Sequence, residues 1–315
     1  MTTDIAQLAD AMRRSISRAI SGKDRQITTA IRVLFASGHL LIEDVPGVGK
    51  TSLAMALATV SGISAQRIQF TSDMLPTDVT GVSIYDQSTQ HFRFHPGPVF
   101  SGVVLADEIN RATPKTQSAL LEAMGEGRVT VDGHTYTLPE PFIVLATQNP
   151  IDMEGTFLLP EAQRDRFMAR ITMGYPNAEA ETALVAARLG QDPLETLPQV
   201  ADSDTLNQVR QIVSALHMDE RVIRYCVAIT AATRTDPSLR LGASPRATLH
   251  LAALARARAA TEGRPYATAD DVARCAPLVL THRIIPQGHF PSAGAAHEAA
   301  STVVERIVAT TPVRG

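Results

Sequence analysis

The first half of the chain alternates between short apolar runs and helical patterns. Apolar runs as long as a strand lie at Leu40–Ile42, Val103–Ala106 and Phe142–Ala146. A further strand is predicted at Arg67–Phe70, and a helix is predicted at Lys50–Thr59. Continuous apolar strands that alternate with helices predict a parallel sheet covered on both faces. Polar residues cluster just past the carboxyl ends of these strands, where open α/β sheets bind their ligands.

Two predicted β-hairpins interrupt this pattern. Val129–Val131 and Thr135–Thr137 flank an Asp132-Gly133 turn, which is a strong hairpin signal. Val82–Tyr85 and His91–Phe94 flank a longer polar turn, which is a weaker signal. Without further context, the residues leave open whether each hairpin is a simple decoration of the sheet edge.

The second half of the chain differs in composition and is rich in Ala and Arg from about residues 175–177 onward. Helical patterns fit residues 178–189, 203–215, 219–233, 245–261, 269–280 and 294–309. Ser244 before Pro245 is an N-cap signal for one of these helices. We therefore predict two domains, an α/β domain over residues 1–175 and an all-α domain over residues 178–315.

Composition and charge exclude several classes of protein. The chain carries 29 basic and 32 acidic residues, and this near-neutral balance argues against a protein that coats nucleic acid. It has no run of about 18 apolar residues, so the sequence predicts no membrane span. Its start lacks the apolar core of a signal peptide. Cys226 and Cys275 stand far apart and outside any CxxC pair, so we expect two buried thiols in a reducing cytoplasm.

The turn after the first strand, DVPGVGKT, fits the phosphate-binding loop pattern G-x-x-x-x-G-K-[ST] except at its first position. Small residues let backbone N–H groups surround a phosphate, and a helix that begins there favours the anion. Lys50 would reach the β- and γ-phosphates, and the Thr51 hydroxyl would bind Mg²⁺. Asp44 stands where glycine is expected, so an ordinary glycine turn remains open for this loop alone. The predicted nucleotide-binding residues are Asp44, Val45, Pro46, Gly47, Val48, Gly49, Lys50, Thr51 and Ser52.

Two adjacent carboxylates, Asp107 and Glu108, directly follow the third apolar strand. Neighbouring carboxylates at a strand end are costly unless a cation or a reacting group uses them. Asp107 would hold Mg²⁺ through water, and Glu108 would orient and deprotonate the attacking water. The other interpretation is a pair of acids that caps the next helix, but the phosphate-loop pattern upstream favours nucleotide hydrolysis.

Asn149 and Arg166 are candidate catalytic residues with weaker local support. Asn149 ends the fourth strand and would hydrogen-bond the attacking water or the γ-phosphate, although Asn before Pro is usually a turn residue. Arg166 lies at the rim of the α/β domain, where the alternative is a surface salt bridge with Asp165 or Glu161.

Arg246 is a candidate phosphate-binding residue of the all-α domain. It falls in the first turn of the helix that Ser244 caps, where a cation opposes the helix dipole. Such a cation needs an anion nearby, and a nucleotide phosphate would serve. The alternative is an ion pair with Asp270 or Asp271.

Five linked segments carry a resemblance to a known family. They are Leu41–Thr51, Leu105–Arg111, Pro114–Met124, Leu145–Pro150 and Leu159–Phe167. Together they resemble the MoxR family of AAA+ ATPases, over about residues 38–250 and including both hairpins. In that family an aspartate is usual at the position of Asp44. The resemblance implies a phosphate-loop AAA+ α/β core, with β-hairpin inserts beside its parallel sheet, followed by an all-α lid domain.

The resemblance also implies an assembly and an activity. ATP with Mg²⁺ would lie between the subunits of a ring, expected to be a hexamer, and would be hydrolysed there. Arg166 would come from the neighbouring subunit as an arginine finger, with Arg164 as the other candidate, and Arg246 would be the sensor of the lid. Hydrolysis would drive chaperone-like remodelling or maturation of partner proteins, often ones with a von Willebrand factor A domain.

Three other functions remain to be distinguished. A magnesium-chelatase-type motor subunit has a similar fold, although the Asn-Arg pair soon after Glu108 is typical of the MoxR family. A DNA-processing AAA+ protein would need exposed basic loops, and the hairpins carry only Arg93 and Arg128 as strong cations. A nucleotide switch that does not hydrolyse its ligand would have no need of Glu108.

Overall fold

The computed structural model describes residues 2–45, 47–149, 157, 159–176, 178–179, 181–182 and 193–313. Two N-terminal helices precede an α/β layer, and a group of helices follows it. In the first two parts the elements are α1 (Thr2–Ala19), α2 (Asp24–Phe35), β1 (Leu40–Glu43), α3 (Lys50–Ser61), β2 (Ala65–Gln69), α4 (Pro76–Thr80), β3 (Gly81–Asp86), β4 (His91–Pro96), β5 (Val103–Asp107), α5 (Pro114–Glu126), β6 (Arg128–Val131), β7 (His134–Thr137), β8 (Ile143–Gln148), α6 (Glu161–Arg164) and β9 (Ala169–Ile171).

A five-stranded parallel sheet with the order β2-β5-β8-β1-β9 forms the centre of the α/β layer. Strands β5 and β8 are buried along almost their whole length because helices cover both faces of the sheet. This confirms the predicted parallel α/β architecture. Strand β9 was not predicted, since it is three residues long and has Arg170 at its centre, which leaves no apolar run to recognise.

Both predicted hairpins are present, as β3–β4 and β6–β7. Asp132 and Gly133 both adopt left-handed backbone conformations, with φ of 50° and 78°, as a tight hairpin turn requires. Phe94 of β4 stacks on Tyr136 of β7 with ring centroids 4.0 Å apart. The two hairpins are therefore in contact and form one aromatic surface beside the sheet.

The second half of the chain is helical, as predicted. Its elements are α7 (Ser203–Ser214), β10 (His217–Met218), α8 (Glu220–Thr235), β11 (Leu239–Leu241), α9 (Pro245–Thr261), β12 (Tyr266–Ala267), α10 (Ala269–Leu280), β13 (Ile285–Pro286) and α11 (Ala293–Thr310). The short strands pair as β10–β12 and β11–β13 and connect the turns between helices. The Ser244 hydroxyl caps α9 by accepting from the Ala247 N–H. The predicted helix over 178–189 falls largely outside the described residues.

One apolar core joins the N-terminal helices, one face of the sheet and the helical part. Leu40 and Ile42 of β1 belong to this core, whereas Leu41 points to the opposite face and packs with the α5 side. Helices α1 and α2 both contact α9, so the N-terminal helices pack against the helical second half of the chain. None of the described helices has the length and apolar character needed to cross a membrane.

Candidate nucleotide-binding site

The predicted phosphate loop connects β1 to α3, and α3 begins at Lys50. Gly47 and Gly49 have φ of +82° and +90°, a left-handed conformation that favours glycine. A Cβ atom at either position would meet open space, so backbone conformation rather than crowding requires glycine here. Pro46 lies outside the described residues.

Lys50 places its ammonium between the loop and the acids at the end of β5. The side chain is buried, with 8% of the residue exposed, and its Nζ donates to the Asp44 carbonyl oxygen at 2.7 Å. Burial lowers the pKa of Lys50, while the charges of Asp107, Asp44 and Glu108 act in the opposite direction. The structure thus brings the phosphate loop and the predicted acid pair together.

The side chain of Asp44 faces away from the space over the loop. Its Oδ1 accepts from the Val45 N–H at 2.8 Å, and its Oδ2 accepts from the Gly174 N–H. Lys23 Nζ holds the same segment by donating to the carbonyl oxygens of Met173, Gly174 and Tyr175 at 2.6, 3.0 and 3.0 Å. The carboxylate that replaces the first glycine of the pattern therefore ties the loop to the segment that follows β9. Sequence reasoning assigned no role to Lys23.

Asp107 ends β5 and accepts hydrogen bonds from two neighbouring strands. Thr147 Oγ1 of β8 donates to its Oδ1 at 2.5 Å, and Arg67 of β2 donates to its Oδ2 from Nη2 at 2.6 Å and from Nε at 3.1 Å. Neither Arg67 nor Thr147 was predicted as a site residue. Their roles depend on which strands flank β5, and this order cannot be read from the local pattern.

Glu108 adopts a left-handed backbone conformation, with φ of 56° and ψ of 48°. Such a conformation costs on the order of 1–3 kcal/mol in a residue other than glycine and is most common at functional sites. Its N–H donates to Thr147 Oγ1 at 2.9 Å, and its Oε2 accepts from Gln69 Nε2 at 3.0 Å and from Arg111 Nη1 at 2.9 Å. The carboxylate is thereby held just beyond the sheet edge.

Asn149 directly follows β8 and is buried. The Asp44 N–H donates to the carbonyl oxygen of Gln148 at 3.1 Å, so the end of β8 lies against the phosphate loop. We refer to these residues at the carboxyl ends of the central strands as the strand-end cluster. Its members are Lys50, Asp107, Glu108, Thr147 and Asn149.

The predicted arginines Arg166 and Arg246, and the alternative finger Arg164, lie outside the strand-end cluster, around Asp165. Arg166 is half-buried, and its guanidinium lies so close to Gly125 of α5 that a Cβ atom there would be 1.8 Å from Nη1. Arg246 Nη1 lies 3.5 Å from Asp165 Oδ2. Arg164 Nε is buried, with no hydrogen-bond partner among the described residues.

The alternative partners expected for Arg246 are engaged elsewhere. Asp270 pairs with Arg274 at 2.7 Å, and Asp271 pairs with Arg264 at 2.5 Å and with Arg258 at 3.2 Å. The acid beside Arg246 belongs instead to the α/β part of the chain. This contact links the first turn of α9 to the segment that carries Arg166.

Comparison with known proteins agrees with this geometry. Residues 39–169 match the model of the ATPase family associated with various cellular activities (AAA), and residues 231–307 match the AAA lid domain. The first match contains the phosphate loop, both acids and Arg166, and the second contains Arg246 and the N-terminus of α9.

Relatives of the chain match over most of its length. It is 47% identical to the uncharacterized protein YeaC of Bacillus subtilis, over 87% of each chain. It is 41% identical to the chaperone MoxR1 of Mycobacterium tuberculosis, over 86% of this chain and 74% of that one. The crystal structure of a provisionally assigned ATPase from Cytophaga hutchinsonii has a TM-score of 0.89 and 33% identity, and the match covers 100% of this chain and 97% of that one.

Proposed function

The chain belongs to the MoxR family of AAA+ ATPases, and we propose that it uses Mg²⁺-dependent ATP hydrolysis to remodel or mature a partner protein with a von Willebrand factor A domain. The observation that carries the hydrolysis part of the proposal is that the phosphate loop and the acid pair meet at the end of β8. There the Asp44 N–H donates to the Gln148 carbonyl oxygen, and Thr147 bonds to both Asp107 and Glu108. The name of the chaperone from M. tuberculosis supports the remodelling part of the proposal.

Side chains of one subunit would perform most of the hydrolysis. Lys50 would exchange the Asp44 carbonyl oxygen, its present partner, for the β- and γ-phosphates of ATP. Glu108 would orient the attacking water and accept its proton, since its carboxylate is fixed at the sheet edge by two hydrogen bonds. Asn149 would hydrogen-bond the same water or the γ-phosphate.

The residues present suit a magnesium ion. The Thr51 hydroxyl and the Asp107 carboxylate are oxygen donors, and Mg²⁺ usually takes one or two such protein ligands together with phosphate oxygens and water. Thr147 donates to Asp107 Oδ1 and orients the carboxylate, whereas Arg67 occupies Oδ2 and would have to yield it to a metal-bound water. When bound, the ion would neutralise charge on the β- and γ-phosphate oxygens.

We propose a ring, expected to be a hexamer, in which Arg166 acts on the ATP of the neighbouring subunit. The position of Arg166 outside the strand-end cluster and against Gly125 supports delivery to another subunit. Arg246 would bind a phosphate of its own subunit's ATP and would exchange Asp165 for it. The proposed core over 1–175 and lid over 178–315 would then close on the nucleotide.

The β3–β4 hairpin is the proposed contact for a protein partner. Phe92 at its tip is 73% exposed, Tyr85 packs edge-on against it at 5.3 Å, and Val82 and Ile84 are exposed as well. The hairpin is braced by the stacking of Phe94 on the second hairpin. Apolar side chains on a fixed hairpin favour a protein partner over DNA.

We place this activity in the cytoplasm, in keeping with two buried free cysteines.

A trapped complex tests the proposal. Glu108→Gln protein loaded with ATP should retain a purified von Willebrand factor A domain, and Lys50→Ala protein should not. Phe92→Ser in the Glu108→Gln background should weaken retention, whereas Ser88→Ala in the same hairpin serves as the control. Equal retention by the Glu108→Gln and Lys50→Ala proteins, or no retention of any such domain, would contradict an ATP-driven action on this class of partner.

A further inference from the structure

Asp165 lies between the two arginines that are candidates for the finger, and its carboxylate faces the helical part of the chain. Ser244 Oγ donates to both carboxylate oxygens, at 2.8 and 2.9 Å. Arg283 Nε donates to Oδ1 at 2.9 Å, and Arg246 approaches Oδ2. We call Asp165, Ser244, Arg246 and Arg283 the Asp165 cluster. It joins the end of α6 to the start of α9 and to the segment that directly follows α10.

Arg283 binds the backbone of the finger segment as well as the Asp165 carboxylate. Its side chain is 1% exposed, and its guanidinium donates to the carbonyl oxygens of Asp165 at 3.0 Å, Phe167, and Met168 at 3.2 Å. His282, the preceding residue, has its Nε2 3.1 Å from the Phe167 carbonyl oxygen. The residues on both sides of Arg166 are therefore fixed to the segment that directly follows α10.

The charged groups of this cluster are the two guanidinium groups of Arg246 and Arg283 and the one carboxylate of Asp165. Burial lowers the pKa of Arg283 to about 10, with the Asp165 carboxylate opposing that shift, so the guanidinium stays protonated near neutral pH. Burial, with the charge of Arg283, lowers the pKa of His250 to about 3. His250 is therefore neutral, and its Nδ1 accepts from Arg283 at 2.6 Å. A buried guanidinium with so many acceptors has a fixed orientation.

We propose that Asp165 and Arg283 are positioning residues that hold the Arg166 finger in register with the lid of its own subunit. The inference rests on the proposed function, in which Arg166 acts on the neighbouring ATP. Asp165 contacts Arg246, the residue expected to sense the subunit's own nucleotide, and it directly precedes the finger Arg166 in the chain. The state of one ATP site is thereby coupled to the arginine offered to the next site.

Mixed rings separate this role from a role in the subunit's own site. Arg166→Ala chains supply intact ATP sites, and Lys50→Ala chains supply intact fingers, so co-assembly of the two should restore hydrolysis. Adding Asp165→Asn to the Lys50→Ala chain should lower the restored kcat by roughly 10- to 100-fold, because a finger displaced by about 1 Å stabilises the transition state poorly. The KM for ATP should not change, since the working sites belong to the other chain.

The control is Lys50→Ala with Asp270→Asn, which breaks the exposed ion pair to Arg274 and should leave the restored rate unchanged. Arg283→Lys in the Lys50→Ala chain keeps the charge but loses the forked geometry, so it should also lower kcat and serves if Asp165→Asn prevents assembly. Restored rates within about twofold of Lys50→Ala, or a change in KM alone, would overturn the inference. Failure of Lys50→Ala itself to rescue Arg166→Ala, with co-assembly verified, would instead refute the finger in trans.

Discussion

The strand-end cluster and the Asp165 cluster are both built around carboxylates, but they differ in their surroundings. Asp107 and Glu108 lie at the carboxyl ends of the sheet strands, and their hydrogen-bond partners come from the same α/β layer. Glu108 adopts a left-handed conformation that is unusual for a residue other than glycine. Asp165 is enclosed by Ser244 and Arg283, which come from the helical part of the chain. The first arrangement suits binding and reaction, and the second suits transmission between domains.

This difference predicts how each cluster responds to mutation. Removal of a group in the strand-end cluster should change the chemistry of the subunit that carries it. Removal of a group in the Asp165 cluster should change the activity of the neighbouring site through the finger. The following substitutions change the finger that the Asp165 cluster is proposed to hold, and then residues that belong to the strand-end cluster or bond to it. They are given from the largest expected effect to the smallest.

Arg166→Ala should lower kcat by about 10³- to 10⁵-fold, because an arginine finger neutralises transition-state charge to that extent where it has been measured in GTPases. The affinity for ATP should change little, since Arg166 is not part of the strand-end cluster of its own chain. Steady-state hydrolysis and nucleotide titration check both statements. Arg164→Ala is the matched control, and a larger loss there than in Arg166→Ala would assign the finger to Arg164.

Thr147→Val should lower kcat roughly 10- to 100-fold, a range typical for groups that orient the residues around a metal or reacting site. The substitution keeps the shape of the side chain but removes the donor to Asp107 and the acceptor for the Glu108 N–H. Pre-steady-state hydrolysis measures the loss of rate, and thermal unfolding measures any change in stability. Thr135→Val, in an exposed hairpin pair, is the control; equal effects of the two variants would exclude a role for Thr147 in holding the acids.

Arg67→Gln should lower the Mg²⁺ concentration for half-maximal activity by about two- to fivefold, the size expected for a partly exposed ion pair. Arg67 is bonded to the carboxylate that we assign to magnesium, so its removal frees Asp107 for the ion. A magnesium titration of hydrolysis measures the shift. Arg128→Gln, which breaks the exposed pair with Glu126, is the control. A higher magnesium requirement in Arg67→Gln would contradict the assignment.

Asp44→Asn should lower the free energy of unfolding by about 1 kcal/mol, because an amide replaces only one of the two acceptors that bind Val45 and Gly174. The affinity for ATP should stay within about threefold, since the side chain faces the segment after β9. Chemical denaturation and ATP titration test both expectations, with Asp73→Asn as an exposed control. A more than tenfold loss of ATP affinity would show that the carboxylate itself serves the nucleotide.

The two clusters also differ in how far the sequence predicts them. The phosphate loop is contiguous, and Asp107 and Glu108 end an apolar strand, so local pattern and spacing were sufficient to name them. Arg67 contacts Asp107 only because β2 lies beside β5 in the sheet, although β3 and β4 separate these two strands along the chain. The Asp165 cluster depends on packing between segments far apart along the chain, and the dipole of α9 predicted an anion for Arg246 without identifying Asp165.

The central claim is that the phosphate loop and the acid pair form one site that binds and hydrolyses ATP. Single-turnover hydrolysis by Glu108→Gln, measured together with its dissociation constant for ATP, tests this claim most directly. We expect binding within about threefold of the unmodified protein and a chemical step slower by about 10²- to 10⁴-fold, the contribution of a positioned general base. Hydrolysis at the unmodified rate, with binding retained, would contradict the account.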